Sequence, residues 1–237
     1  MLRTYNVGET DRFCILFSLH AGRIAARANG VRRLLSRRCA GLLPLHRIHV
    51  TYELRSSGYV IASASPRVHV PFWKDPCAFS CAQRGVEILL RLTEEGEALP
   101  DVYVLVSRFL DACAHKHPAH LSSVFALKLL HLLGLFPSLK HSSLSHLPLP
   151  EHALVAYSSI GGVSLQSENP DGIRLSHEGR NFLLTIPSID LVSLPPCSES
   201  LLREIERFLH CLLGSQLGVP LAAPAVSLAM SSGVTPI

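Results

Sequence analysis

Between residues 2 and 64 short apolar runs alternate with turn signals and no helical period is sustained, which restricts this stretch to a small all-β unit. Phe13, Ile15, Phe17 and Leu19 alternate with Cys14, Leu16 and Ser18, so both faces of that strand are apolar enough to be buried, and His20-Ala21-Gly22 reverses the chain. The next strand carries Ile24, Ala26 and Ala28 on one face and Arg23, Ala25 and Arg27 on the other, because residues two apart project to the same side. A fourth strand directs Ile48, Val50, Tyr52 and Leu54 inward and Arg47, His49, Thr51 and Glu53 outward, and Ser56-Ser57-Gly58 turns into a fifth through Tyr59 and Ile61. Five strands in so short a stretch favour an OB-fold barrel over a sandwich.

The texture changes between Pro66 and Pro76, where Asp75-Pro76 reads as a helix N-cap followed by proline at the first helical position. The boundary is placed there: residues 1–75 as an OB-fold nucleic-acid-binding domain, residues 76–237 as a helical C-terminal domain. Val86, Leu89 and Leu90 form one apolar stripe, and Val102, Leu105, Val106, Phe109 and Cys113 a second. A third helix over residues 121–133 is apolar around most of its circumference and ends at Gly134, which predicts a central buried element. Residues 135–173, with four prolines or glycines before Gly162 and more beyond it, read as a long irregular connection. A short helix near Phe182–Ile186 follows, then an amphipathic one from Ser198, with Leu201, Ile205, Phe208, Leu209 and Leu212 opposing Arg203, Glu204, Glu206 and Arg207. The fold class is α+β, strands first and helices after.

A hydrophobic content of 48% supports a substantial core. No apolar run is long enough to span a bilayer, and Glu9 and Asp11 beside Arg3 and Arg12 are unlike a signal peptide, so a cytoplasmic protein is expected. The cysteines at 14, 39, 77, 81, 113, 197 and 211 are scattered without a C-x-x-C pair, which suits reduced thiols.

The net charge of +4 hides an asymmetry: residues 1–75 hold 12 Lys and Arg against 4 Asp and Glu, residues 76–237 hold 10 against 14. Arg23, Arg27, Arg32, Arg33, Arg37 and Arg38 fall within one 16-residue segment that contains no acid. Guanidinium groups stay protonated and present a planar fork of donors, so such a segment suits a phosphate backbone. On an OB barrel it would work with aromatic faces on which unpaired bases stack, and Tyr5, Phe17 and Tyr52 are the candidates. The chain contains no G-x-S-x-G, P-loop, H-E-x-x-H or GxGxxG, so nothing in it points to an enzyme.

The stretch Val7-Gly8-Glu9-Thr10-Asp11-Arg12, then Leu16-Phe17-Ser18, Gly22-Arg23-Ile24, Asn29-Gly30-Val31-Arg32-Arg33 and Ser36-Arg37 resembles, in order and spacing, the opening of the RecO family of recombination mediators. The likeness continues through Leu43-Pro44-Leu45, Phe125 to Leu130, Leu133 to Pro137 and Gly161-Gly162. It implies a protein that binds single- and double-stranded DNA, anneals complementary strands and, with RecR, helps load RecA onto DNA coated by single-strand-binding protein. It assigns DNA binding to Arg23, Arg27, Arg32, Arg33, Arg37 and Arg38. It also implies a pocket for the acidic tail of single-strand-binding protein, for which Lys128 and Arg203 are candidate basic residues. The resemblance also implies a zinc module, since many family members carry four cysteines for zinc between the position of Pro137 and the residues just past Gly162. This chain has none there, so the zinc site is expected to be lost and no cofactor retained; His141, His146 and His152 in the same region are read as loop histidines rather than ligands. The competing readings are an RNA-binding OB-fold protein and a protein-interaction scaffold whose basic face is incidental.

Overall fold

The computed structural model describes residues 1–32, 42–68, 75–115 and 119–217. Its internal contacts divide the chain into two units, Met1–Lys116 and His117–Ile237. In the first, β1 (Arg3–Val7), β2 (Asp11–Ser18), β3 (Gly22–Ala28), β4 (Arg47–Arg55) and β5 (Gly58–Val68) form one sheet in the order β1-β2-β3-β5-β4. Neighbours are antiparallel except β3 and β5, which run parallel at Ala26–Tyr59 and Arg27–Val60. The Met1 nitrogen donates to the His46 carbonyl and the Met1 carbonyl accepts from Leu45, both at 2.9 Å, so the approach to β1 meets the approach to β4. This is the five-stranded OB-type barrel expected from the strand pattern.

The barrel interior is made by Cys14 and Leu16 of β2, Ile24, Ala26 and Ala28 of β3 and Ile61 of β5, closed by Val31 and Leu42. Burial pushes the Cys14 thiol up to about 11, so it stays protonated as a small core group. Two expectations about facing fail. Leu54, inward by alternation, is 73% exposed, because it sits one residue from the Arg55–Gly58 end of the hairpin, past a register shift between Thr51 and Tyr52. Phe13 also faces solvent rather than the core.

Helix α1 (Pro76–Leu92) starts as expected: the Asp75 carboxylate accepts from the backbone of Cys77 and Ala78, with Pro76 at the first turn. It packs on α2 (Pro100–His115), and a Cβ at Gly85 would overlap the ring of Phe109, so glycine lets the two helices approach there. The α1–α2 linker lies along the part of β3 that β5 leaves uncovered. Gly96 donates to the Arg23 carbonyl at 2.9 Å and the Glu95 carboxylate accepts from Ala25 at 3.1 Å. Gly22, at φ +56°, passes so close to this linker that a Cβ would overlap the Glu97 carbonyl. The change in texture at residue 75 therefore falls inside the first contact unit.

The second unit contains α3 (Leu121–Leu132), β6 (Val155–Ser158), β7 (Gly162–Leu165), β8 (Ile173–Leu175), α4 (His177–Thr185) with a 3₁₀ turn (Ile186–Ser188), and α5 (Glu199–Leu217). As expected, α3 is the buried element: every residue from Leu121 to Leu130 except Lys128 is buried. Ile205, Phe208, Leu209, Leu212 and Leu213 of α5 are buried too, and Phe208 meets Tyr157 and Phe136 edge-on at 5.1 and 6.0 Å. The reading of residues 135–173 as irregular needs correction. It holds the hairpin β6–β7 turned by Gly162, and with β8 these strands form an antiparallel sheet in the order β7-β6-β8. Strands of three or four residues are too short to show a period in sequence.

Arg180 of α4, only 4% exposed, holds the first part of this connection. Its guanidinium donates to the carbonyls of Leu139, Leu149, Pro150 and Glu151 at 2.6–3.2 Å. Nearby the buried Glu204 carboxylate accepts from the Ser176 backbone at 2.7 Å, where the positive end of α4 favours it.

Candidate nucleic-acid interface

Two turns meet at one end of the barrel. The β1–β2 turn carries Gly8 and the turn after β3 carries Gly30, at φ +58° and +66°, left-handed conformations that suit glycine. Asp11 joins them. One carboxylate oxygen accepts from the Gly30 backbone at 2.8 Å, and the other from Nε and Nη2 of Arg27 at 3.0 and 2.7 Å. Arg32 completes the clip, its backbone donating to the Thr10 carbonyl at 2.9 Å and its side chain to the Gly8 carbonyl at 3.1 Å. The bond from Gly30, then those from Arg27 and Thr10, lower the Asp11 carboxyl to about 2, so it is charged at any physiological pH.

Of the six arginines singled out in the sequence, Arg33, Arg37 and Arg38 lie outside the described residues. The other three are all on the barrel. Arg23 and Arg27 share the outer face of β3, as alternation requires. The segment is not uncompensated, however, as its local sequence suggests. Arg27 is paired with Asp11, and Arg23 donates to the Leu90 carbonyl at 2.6 Å, in the last turn of α1, where the helix dipole favours a cation. Both partners are distant in sequence, 16 and 67 residues away, so no local window reveals them. Arg32 remains exposed, at the point where the chain runs on into Arg33.

The outer face of β1, β2 and β3 brings together aromatic and basic groups. Tyr5 pairs across with Phe13, and Phe13 with Arg27, so these three side chains form one row over three strands. Tyr5 is 49% exposed, Phe13 37% and the Arg27 side chain 51%. Arg3 is on the same face, its Nη1 donating to the Tyr5 hydroxyl at 3.5 Å. Of the three aromatic residues proposed from sequence, only Tyr5 is open. Phe17 is buried, and Tyr52 is half-buried against the core with its ring edge-on to Tyr59 at 5.3 Å. Sequence reasoning missed Phe13 because both rows of β2 are apolar; its register with Tyr5 and Arg27 is the signal that identifies it.

In the second unit, the three Nζ protons of Lys128 are directed at the carbonyls of Ile186, Pro187 and Ile189, at 2.7–2.9 Å, and Arg203 pairs with Glu199 one turn earlier on α5. Lys128 thus closes the C-terminal end of α4. His152 lies 5.5 Å from His177, ring to ring, and His141 and His146 are exposed. Among the described residues no three His, Cys, Asp or Glu side chains converge as a metal site would require, and no helix is long and apolar enough to cross a membrane.

Residues 1–66 match the family model described as Recombination protein O N terminal, and residues 74–224 the one described as Recombination protein O C terminal. The chain belongs to the recombination protein O family. The DNA repair protein RecO of Desulfitobacterium hafniense is 31% identical over 140 residues, covering 59% of this chain and 51% of that protein. The RecO of Bifidobacterium longum is 31% identical over 179 residues, 73% and 74% of the two chains. That of Streptomyces avermitilis is 26% identical over 226 residues, 89% and 90%. The chain spans about half the length of the Desulfitobacterium relative it matches. The first family model ends at residue 66, near the end of β5, and the second begins at residue 74, just before the cap of α1.

Proposed function

We propose that this RecO family protein is a non-enzymatic, DNA-binding recombination mediator in DNA repair. In this reading it binds single- and double-stranded DNA, anneals complementary strands and, with RecR, helps load RecA onto single-stranded DNA coated by single-strand-binding protein. It acts in the cytoplasm, at the nucleoid, as a monomer and without a cofactor. The observation that supports the reading is the clip of Gly30 and Arg32 on the β1–β2 turn, which holds Arg32 exposed at the end of the barrel, and in sequence Arg33, Arg37 and Arg38 follow it. Those four hold phosphates. Arg27, half-exposed at the same clip as Arg32, exchanges Asp11 for a phosphate oxygen, and Arg23 adds charge from the flank while its fork holds α1.

Replacing Arg32, Arg33, Arg37 and Arg38 together with Ala is expected to weaken DNA binding across sequences. The slope of log K against log salt should become shallower by up to ~3 for single strands, at ~0.7 per lost phosphate contact. Titrating labelled single-stranded DNA at several salt concentrations measures this, with RNA of the same length as competitor. Binding at low salt equal to that of the parent protein would sink the assignment.

A further inference from the structure

We propose that the outer face of β1–β2–β3 is a base-stacking site in which Tyr5 and Phe13 each receive one unpaired base of a single-stranded nucleic acid. The inference rests on the DNA-binding reading above and adds what that reading lacks, a surface for bases rather than phosphates.

The argument starts from what the face does not do. A strand in a small barrel normally buries one face and gives the other to polar residues, yet Tyr5 and Phe13 lie on the outer face, both more than a third exposed, opposite each other on adjacent strands. The interior is already filled by Cys14, Leu16, Ile24 and Ala26, so the barrel core does not require these rings. Directly opposed residues have Cβ atoms ~5 Å apart and project to the same side, so two rings in one row are placed to serve successive bases of one strand.

The charges around the rings select the ligand. Arg27 closes the row on one side and Arg3 lies beside Tyr5, so a polyanion that lays bases on the rings meets a guanidinium at each side. Asp11 is the one described carboxylate ion-paired on this face, and it is held by Gly30 and Arg27. An apolar protein surface would gain nothing from these cations. The row also lies toward the end of the barrel at which the exposed Arg32 bonds the β1–β2 turn, so a strand crossing Tyr5 and Phe13 has a further guanidinium within its path. A duplex keeps its bases stacked within itself and cannot use the rings, so the site favours single strands.

The test uses the full chain with Tyr5→Ala, Phe13→Ala and the double variant, titrated with labelled oligo-dT and with a duplex of the same length. Each single variant is expected to bind oligo-dT about tenfold more weakly, with duplex binding and the salt slope unchanged, because stacking neutralises no phosphate. Phe13→Trp retains a stacking face, keeps binding, and adds tryptophan fluorescence that oligo-dT quenches relative to the parent protein. It also serves where an alanine variant fails to fold. Three outcomes overturn the proposal: a folded double variant that binds oligo-dT as the parent does, equal losses for duplex and single strand, or no quenching at Trp in place of Phe13. In each of these the DNA-binding reading stands if the parent binds DNA in a salt-dependent way. A parent that binds neither probe removes both.

Discussion

Asp11 decides the geometry of the arginine turn, and its chemistry makes that testable by pH. The folded carboxyl lies at about 2 because Gly30, Arg27 and Thr10 bond its charged form, while an unfolded aspartate titrates near 4. The stabilisation is therefore complete above pH ~4 and is lost as pH falls through ~2. An NMR titration of the Asp11 carboxyl is expected to give a midpoint near 2, and Asp11→Asn should flatten the acid limb of stability between pH 4 and 2; a midpoint near 4 would contradict the clip. None of this is visible in a local reading of the sequence. Arg27 stands in an acid-free segment, and only folding brings a carboxylate from 16 residues away to its fork.

At the scale of elements, strands β1 to β5 and the helices α1, α2, α3 and α5 were legible because each carries a period, a cap or a turn residue that acts within a few positions. Asp75 and Pro76 before α1 are the clearest case, since a cap is a contact between neighbours. The sheet β6–β8 was not legible, and the connection leading to it is held by a side chain from elsewhere. Arg180 donates to four carbonyls between Leu139 and Glu151, and its bonds to those of Leu139 and Leu149 are buried. Arg180→Met is expected to destabilise the protein by about 3 kcal/mol in urea unfolding, since charge-assisted bonds are lost and the buried acceptors at Leu139 and Leu149 lose their donor. Arg180→Lys should not restore stability, because an ammonium lacks the planar fork that reaches several carbonyls at once. Full stability in the Met variant would show that the connection does not depend on the guanidinium.

For the molecule as a whole, the contacts place α1 and α2 with the barrel, although composition and family models change near residue 75. The cause is the free edge of β3, which the α1–α2 linker covers through Gly96 and Glu95. A fragment ending at Lys116 is thus expected to unfold cooperatively and to bind oligo-dT. One ending at Asp75 should leave that edge bare and associate, which sedimentation would detect; a monomeric, stable 75-residue fragment would refute the assignment of α1 and α2. The sequence by itself determined the barrel, the order of the helices and the location of the basic segment, because period, caps and net charge are local or additive properties of the chain. Tertiary structure alone decided how Arg23, Arg27 and Arg32 are engaged, that Phe13 rather than Phe17 faces solvent, and what covers β3. Those outcomes depend on strand register and on partners tens of residues apart, which composition and spacing do not encode.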